Sequence, residues 1–118
     1  MTPKNDLRDR LARASEINLT VTGRKSGRQI SNPVWFVVEK DKLDLLPVKG
    51  SDTQWYQNVL KNPSIRIEAG GDAIELRAVP TTDTKQVADV TEKFRAKYGP
   101  GDVKKYYSKL DVAVTAKL

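Results

Sequence analysis

Residues 17–38 read INLTVTGRKSGRQISNPVWFVV and contain the patterns from which the fold can be predicted. Ile17–Thr22 alternates apolar with polar side chains and is rich in β-branched residues, which predicts a strand with one buried face. A basic glycine turn follows. Ser31–Val38 then predicts a second strand, buried on both faces because Val34–Val38 is a continuous apolar run. Strands joined by short turns indicate antiparallel pairing.

The rest of the chain alternates between short helices and strands. We predict a helix at Lys4–Ser15, a hairpin turn at Asp41-Lys42, a helix to about Lys61, strands around Gly70–Asp72, a helix capped by Asp83, and an alternating strand at Leu110–Leu118 with Val112 and Val114 on one face. This order predicts an α+β fold, with a mainly antiparallel sheet or barrel and helices packed outside it. We expect residues 1–118 to form a single domain.

The chain contains neither Cys nor His. Disulfides, thiolate metal sites and Ser-His-Asp or Cys-His catalysis are therefore excluded, and the commonest metal ligand is missing. We expect no metal site. If the protein is an enzyme, we expect an organic cofactor to carry its chemistry.

The charge balance favours an anionic partner. Lys and Arg number 21 against 15 Asp and Glu, a formal net charge of +6, although such an excess can also simply solubilise a surface. Met1–Arg13 has no apolar signal segment, and no stretch approaches the roughly 20 apolar residues that span a bilayer. We therefore expect a cytoplasmic protein.

The basic turn at Thr22–Arg28 combines two glycines with three cations. Glycines let the backbone bend tightly, and exposed N–H groups in such a bend form a concavity that binds anions. Arginine can grip two phosphate oxygens at once. The alternative is an ordinary hairpin turn that happens to be basic. Lys49-Gly50-Ser51 repeats these ingredients after a later strand, and Lys49 would reach the same anion if the two strands are neighbours.

Aromatic side chains suggest where a flat ligand would lie. We expect Trp35 in the core, whereas Trp55, at the start of a helix beside a loop, suits a ring ligand. Tyr98, Tyr106 and Tyr107 flank a Gly-Pro-Gly break and could cover a site. A tyrosine can donate a proton or a hydrogen bond to a reduced substrate. Packing in the core is the alternative for each of the three.

Four motifs occur in order, TGRKSG at 22–27, NPVWF at 32–36, KG at 49–50 and WYQNVLKNP at 55–63. The series resembles the deazaflavin (coenzyme F420)-dependent nitroreductase family, in the flavin/deazaflavin oxidoreductase superfamily of split β-barrel (FMN-binding, PNP-oxidase-like) fold. The resemblance implies an oxidoreductase that passes a hydride from reduced coenzyme F420 to an electron-poor organic acceptor, such as a quinone or a nitro compound.

The resemblance also implies residue roles. The turn and Lys49 would hold the phosphate and acidic tail of the cofactor, and the tyrosine segment would lie over the substrate. The implied cofactor-binding residues are Arg24, Lys25, Ser26, Gly27, Arg28, Asn32, Pro33, Val34, Val48, Lys49, Gly50 and Trp55, and the candidate catalytic residues are Tyr98, Tyr106 and Tyr107.

Some positions and partners stay open. Ile30 stands where family members commonly carry a second basic residue, and Arg28 could compensate. An FMN-dependent oxidoreductase and a non-catalytic binder of a lipid, haem-like or other flat ligand are the alternatives. Nucleic-acid binding is not expected, because the aromatics fall on apolar strands and helix faces. The expected partners are a small-molecule electron acceptor and a second copy in a homodimer, and a quinone acceptor would bring the protein near a membrane.

Overall fold

The computed structural model describes residues 9–118 of the chain. Within them, seven strands form one antiparallel sheet in the order β2-β1-β5-β6-β7-β4-β3, which confirms the predicted α+β class. The strands are β1 (Ile17–Thr22), β2 (Gln29–Val34), β3 (Val37–Glu39), β4 (Lys42–Leu45), β5 (Ser64–Ala69), β6 (Asp72–Thr81) and β7 (Ala113–Lys117). The helices are α1 (residues 9–13), α2 (Gln54–Lys61), α3 (Thr84–Tyr98) and α4 (Pro100–Tyr106), with a 3-10 turn at Gly50–Asp52.

The chain passes from one edge of this sheet to the other within three residues. β2 ends at Val34 and β3 begins at Val37, yet these two strands are the opposite edges of the sheet. Three extended residues span at most about 11 Å. The sheet must therefore curl until the end of β2 approaches the start of β3, and the result is a half-barrel joined at Trp35-Phe36, which we call the corner.

The prediction of one strand at Ser31–Val38, buried on both faces, is wrong. β2 is exposed along residues 29–33, and the corner interrupts the apolar run. Pro33 pairs with Asn18 on this edge strand, where the missing N–H of proline is tolerated. The apolar residues cluster here because they pack around a corner.

β7 also differs from its prediction. The strand covers Ala113–Lys117, a shorter span than 110–118, and its first four residues are all buried. It lies between β6 and β4, and helices cover its second face: Ala113 packs in one hydrophobic cluster with α3, whereas Val114 packs in the other, inside the half-barrel. Val112 shares the cluster of Val114, as predicted. A strand covered on both faces cannot alternate in polarity.

The helices follow the sequence more closely. The Asp83 carboxylate caps α3 by accepting a hydrogen bond from the Gln86 N–H at 3.1 Å. α2 ends at Lys61 as predicted. Of the helix predicted at Lys4–Ser15, residues 9–13 are helical, 14 and 15 are not, and 4–8 lie outside the described residues. In the described part of the chain, every helix is too short or too polar to cross a membrane.

The corner is fastened to α3. Tyr98 Oη accepts a hydrogen bond from the Phe36 N–H at 3.0 Å and lies 2.9 Å from the Ser15 carbonyl oxygen. The Lys97 ammonium donates to the Phe36 carbonyl at 2.8 Å, so the single Tyr98 proton can serve Ser15. The Trp35 ring stacks on Tyr98 with centroids 4.2 Å apart. α3 therefore holds the point at which the chain changes edges.

Replacing Tyr98 with Phe should lower the free energy of unfolding by about 1–2 kcal/mol, because the Phe36 N–H and Ser15 carbonyl lose a partner. Urea denaturation measures this change. Tyr106→Phe is the matched control, since that ring is half exposed, and it should stay within about 0.5 kcal/mol of the wild type. Equal unfolding free energies for the two variants would show that Tyr98 does not fasten the corner.

Candidate functional site

The basic turn is closed by its own backbone. The Gly23 N–H donates to the Arg28 carbonyl at 2.8 Å, and the Gly27 N–H donates to the Gly23 carbonyl at 2.9 Å. Gly27 has a φ of +72°, in the left-handed region that favours glycine. The Arg28 N–H donates to Ser26 Oγ at 3.2 Å. Hydrogen bonds within residues 9–118 leave the N–H groups of Lys25 and Ser26 available to a ligand.

Neutral partners on α2 orient Arg24. Its backbone N–H and Nη1 donate to Asn58 Oδ1 at 3.0 and 2.8 Å, and its Nη2 donates to Gln54 Oε1 at 2.9 Å. Because both acceptors are amide oxygens, they hold the guanidinium without neutralising its charge. Two of its five N–H groups are used, and the others remain for an anion.

A pocket of about 320 Å³ lies between this turn and α2, and we call it the turn pocket. Within the described part of the chain, two cationic side chains and no acidic one line it, which suits a phosphate or carboxylate. The lining residues are Gly23, Arg24, Lys25, Ser26, Ile30, Asn32, Gln54, Trp55 and Asn58.

A second pocket, of about 400 Å³, lies at the corner, and we call it the aromatic pocket. Its size and its apolar walls are typical of small-ligand sites. The lining residues are Glu16, Asn32, Pro33, Val34, Trp35, Leu46, Val48, Trp55, Tyr106 and Tyr107.

Asn32 and Trp55 line both pockets, which therefore form one cleft. Asn32 lies on β2, paired with Leu19, and Trp55 is the second residue of α2, only 8% exposed. The cleft is cationic at one end and aromatic at the other. That arrangement fits a ligand with a flat ring and an anionic tail.

Eight of the predicted binding residues line this cleft, and four do not. The eight are Arg24, Lys25, Ser26, Asn32, Pro33, Val34, Val48 and Trp55; the four are Gly27, Arg28, Lys49 and Gly50. The Lys49 N–H donates to Thr53 Oγ1 at 2.8 Å. Gly50 has a φ of +54°, and a Cβ there would clash with Asp111 Oδ1. This glycine therefore serves the packing of the loop after β4.

Ile30, and not Arg28, lines the turn pocket. Its Cδ1 lies 3.2 Å from the position that a Cβ on Gly23 would take, so the apolar side chain packs under the turn. Arg28 is exposed and precedes β2. Compensation for Ile30 by Arg28 stays a prediction.

The three candidate tyrosines occupy different environments. Tyr98 is absent from the cleft lining, and its hydroxyl is engaged at the corner. Tyr106 ends α4 and meets the Trp35 ring edge-on at 5.5 Å between centroids. Tyr107 is buried, which raises the pKa of its hydroxyl, and the nearby Tyr98 raises that pKa further. Tyr107 is therefore protonated at neutral pH.

Outside the basic turn and Ile30, five further residues line the cleft without having been predicted as site residues, namely Glu16, Trp35, Leu46, Gln54 and Asn58. Trp35 was expected in the core, but it is only partly buried and its ring forms part of the pocket wall. Gln54 and Asn58 are four residues apart on α2 and so share a helix face, a signal that could have identified them as partners of the turn. Glu16 lies in the connection before β1, where no sequence pattern indicates a site.

Comparison with known proteins supports this description. The family model of the F420H(2)-dependent quinone reductases matches residues 4–116. Among solved structures, the chain is similar to the F420-H2 dependent reductase FDR-A (22% identity, TM-score 0.69, 87% of this chain and 94% of that one). It is also similar to a chain described as a domain-swapped dimer (20% identity, TM-score 0.70, 98% and 100%) and to the heme storage protein HutZ from Vibrio cholerae (14% identity, TM-score 0.71, 99% and 89%).

The structural likenesses, all below 25% identity, show the fold, and the predicted split β-barrel is confirmed. The cleft fits a deazaflavin, because Lys25 and Ser26 offer free N–H donors beside the Arg24 charge and an aromatic pocket adjoins them. Together with the family match across residues 4–116, this shows that the chain belongs to the F420H(2)-dependent quinone reductase family, as an enzyme whose cofactor is coenzyme F420.

Proposed function

We propose that this enzyme transfers a hydride from reduced coenzyme F420 to an electron-poor organic acceptor, with a quinone as the preferred class and a nitro compound as the second. The observation that carries the proposal is the continuity of the turn pocket with the aromatic pocket through Asn32 and Trp55. The cations at the turn set the orientation of the bound cofactor, with its anionic tail at the turn and its flat ring at Trp55.

The residues of the chain bind and orient in this proposal. Arg24, already positioned by Asn58, donates its remaining N–H groups to phosphate or carboxylate oxygens, and the Lys25 and Ser26 N–H groups add donors. Trp55 and the β2 wall hold the ring and exclude water from it. When bound, the coenzyme supplies the hydride. Fixing the ring against the acceptor is the main contribution of the protein.

The acceptor oxygen gains negative charge as a quinone is reduced, so a donor beside it lowers the barrier. We assign this role to Tyr107, which lines the aromatic pocket and whose raised pKa keeps its hydroxyl protonated. Tyr106 covers the pocket, and Tyr98 acts indirectly by holding the Trp35 ring.

We also propose that the protein is a homodimer. β2 is an edge of the sheet, and such an edge can pair with another chain. The similarity to a chain described as a domain-swapped dimer supports this state. If the acceptor is a lipid-soluble quinone, the dimer would act at a membrane surface, and the cytoplasmic side stays a prediction.

Lys25→Ala should weaken F420 binding about tenfold, because an exposed cation of the turn pocket loses its contact with the tail. Arg28→Ala should weaken it less than about threefold, since Arg28 lies outside that pocket. Titration of the deazaflavin fluorescence measures both, with FMN as the competing ligand and Arg66→Ala, on the exposed side of β5, as the charge-matched control.

A tenfold loss with Arg28→Ala would show that Arg28 compensates for Ile30. The proposed tail site would be contradicted if Lys25→Ala and Arg66→Ala bound F420 equally well. Tighter binding of FMN than of F420 would contradict the proposed donor.

Tyr107→Phe should lower kcat/KM for a quinone by about 100- to 1,000-fold, the usual cost of one lost donor at a developing oxyanion. Because the folded pKa is raised above about 10, the protonated donor persists as the pH rises, and the ratio of wild type to variant should stay constant between about pH 7 and 10. Stopped-flow oxidation of reduced F420 measures this ratio. A ratio that falls from pH 8 upward would contradict the assignment.

A further inference from the structure

Among residues 9–118, one acidic or basic side chain lines the aromatic pocket, that of Glu16. The other lining residues are apolar, aromatic or amide side chains, and the cations of the cleft lie in the turn pocket. The chain carries six more basic than acidic residues, so the charge at this position is opposite in sign to the net charge of the chain.

The backbone around Glu16 is held on both sides. The preceding Ser15 carbonyl lies 2.9 Å from Tyr98 Oη, and the following Ile17 is 3% exposed and pairs with Val34 in the β1–β2 ladder. Val34 itself lines the aromatic pocket. The backbone of Glu16 therefore has a defined place at the rim, beside the corner, and its exposed side chain borders the aromatic pocket. Glu16 also lines a neighbouring pocket together with Arg10 and Arg13.

The cleft is consequently polarised, with cations at the tail end and one anion at the ring end. A negatively charged group in the aromatic pocket would be repelled by Glu16, whose exposed side chain is partly screened by solvent. A neutral group would not be affected, and a cation would be attracted. Like-charge contact of this kind is a common way to reject a ligand.

We propose that Glu16 sets the acceptor class of the enzyme by disfavouring anionic acceptors and admitting neutral and cationic ones. The inference rests on the proposed function, because the aromatic pocket must be the acceptor site. In this proposal Glu16 does not take part in hydride transfer, so its replacement changes the selectivity among acceptors, measured as a ratio of kcat/KM values.

Three naphthoquinones with the same ring test the proposal: a neutral one, a sulfonated one and one bearing a trimethylammonium group. In Glu16→Gln, kcat/KM for the sulfonated quinone, divided by that for the neutral one, should rise about fivefold, and the ratio for the cationic quinone should fall. Asp9→Asn is the matched control, because Asp9 shares a neighbouring pocket with Glu16 but does not line the aromatic pocket. The effect should shrink in high salt, where the Debye length is only about 3 Å at 1 M.

A second readout needs no cofactor. Both tryptophans of the chain, Trp35 and Trp55, line the aromatic pocket, so quenching of their fluorescence reports the binding of each quinone to the protein alone. Glu16→Gln should bind the sulfonated quinone about fivefold more tightly than the wild type does. Unchanged selectivity in this assay would overturn the proposal. Absent turnover with every quinone would instead count against the proposed function, and the quenching ratios would still decide the role of Glu16.

Discussion

The corner at Trp35-Phe36 joins the two opposite edges of a seven-stranded sheet, and the remaining structure depends on this connection. Because so few residues cannot bridge a flat sheet of that width, the strands must curl into a half-barrel. The hydrogen bonds of Tyr98 and Lys97 to Phe36 hold the corner against α3. The Trp35 ring stacks on Tyr98 and forms part of the wall of the aromatic pocket, so the same contacts position that wall. The fold and the ring site are thus consequences of one constraint.

The second organising feature is the contact between the basic turn and α2. Asn58 and Gln54 orient Arg24 through amide oxygens, so the guanidinium is rigid and still fully charged. Gln54 and Asn58 are four residues apart and share one face of α2. Trp55, which follows Gln54 on the same helix, lines both pockets. A single short helix therefore sets the distance between the anion site and the ring site, which is the geometry that a tailed deazaflavin requires.

Local patterns predicted much of this, and long-range contacts account for what they missed. The alternation of Ile17–Thr22, the Asp83 cap and the basic turn are local, and the structure places each as predicted. The apolar run ending at Val38 was misassigned because a corner and a buried strand have the same composition, although Pro33 signalled an edge strand. β7 looked one-sided because nothing local shows that α3 covers its other face.

The candidate site divides in the same way. Family motifs predicted Arg24, Lys25, Asn32 and Trp55, which line the cleft. Lys49 and Gly50 share the composition of the turn, yet they serve a loop whose close partner, Asp111, is distant in sequence. Glu16 reaches the aromatic pocket only because the β1–β2 ladder and Tyr98 place it there. Such placements depend on the assembled fold.

In the proposed function, one cleft binds coenzyme F420, with the anionic tail in the turn pocket and the ring in the aromatic pocket. The most direct test of this arrangement compares intact coenzyme F420 with the deazaflavin chromophore that lacks phosphate and tail, each titrated into wild type and Lys25→Ala. We expect Lys25→Ala to weaken binding of the intact coenzyme about tenfold and to leave binding of the bare chromophore unchanged. Equal weakening of both ligands, or of neither, would contradict this arrangement.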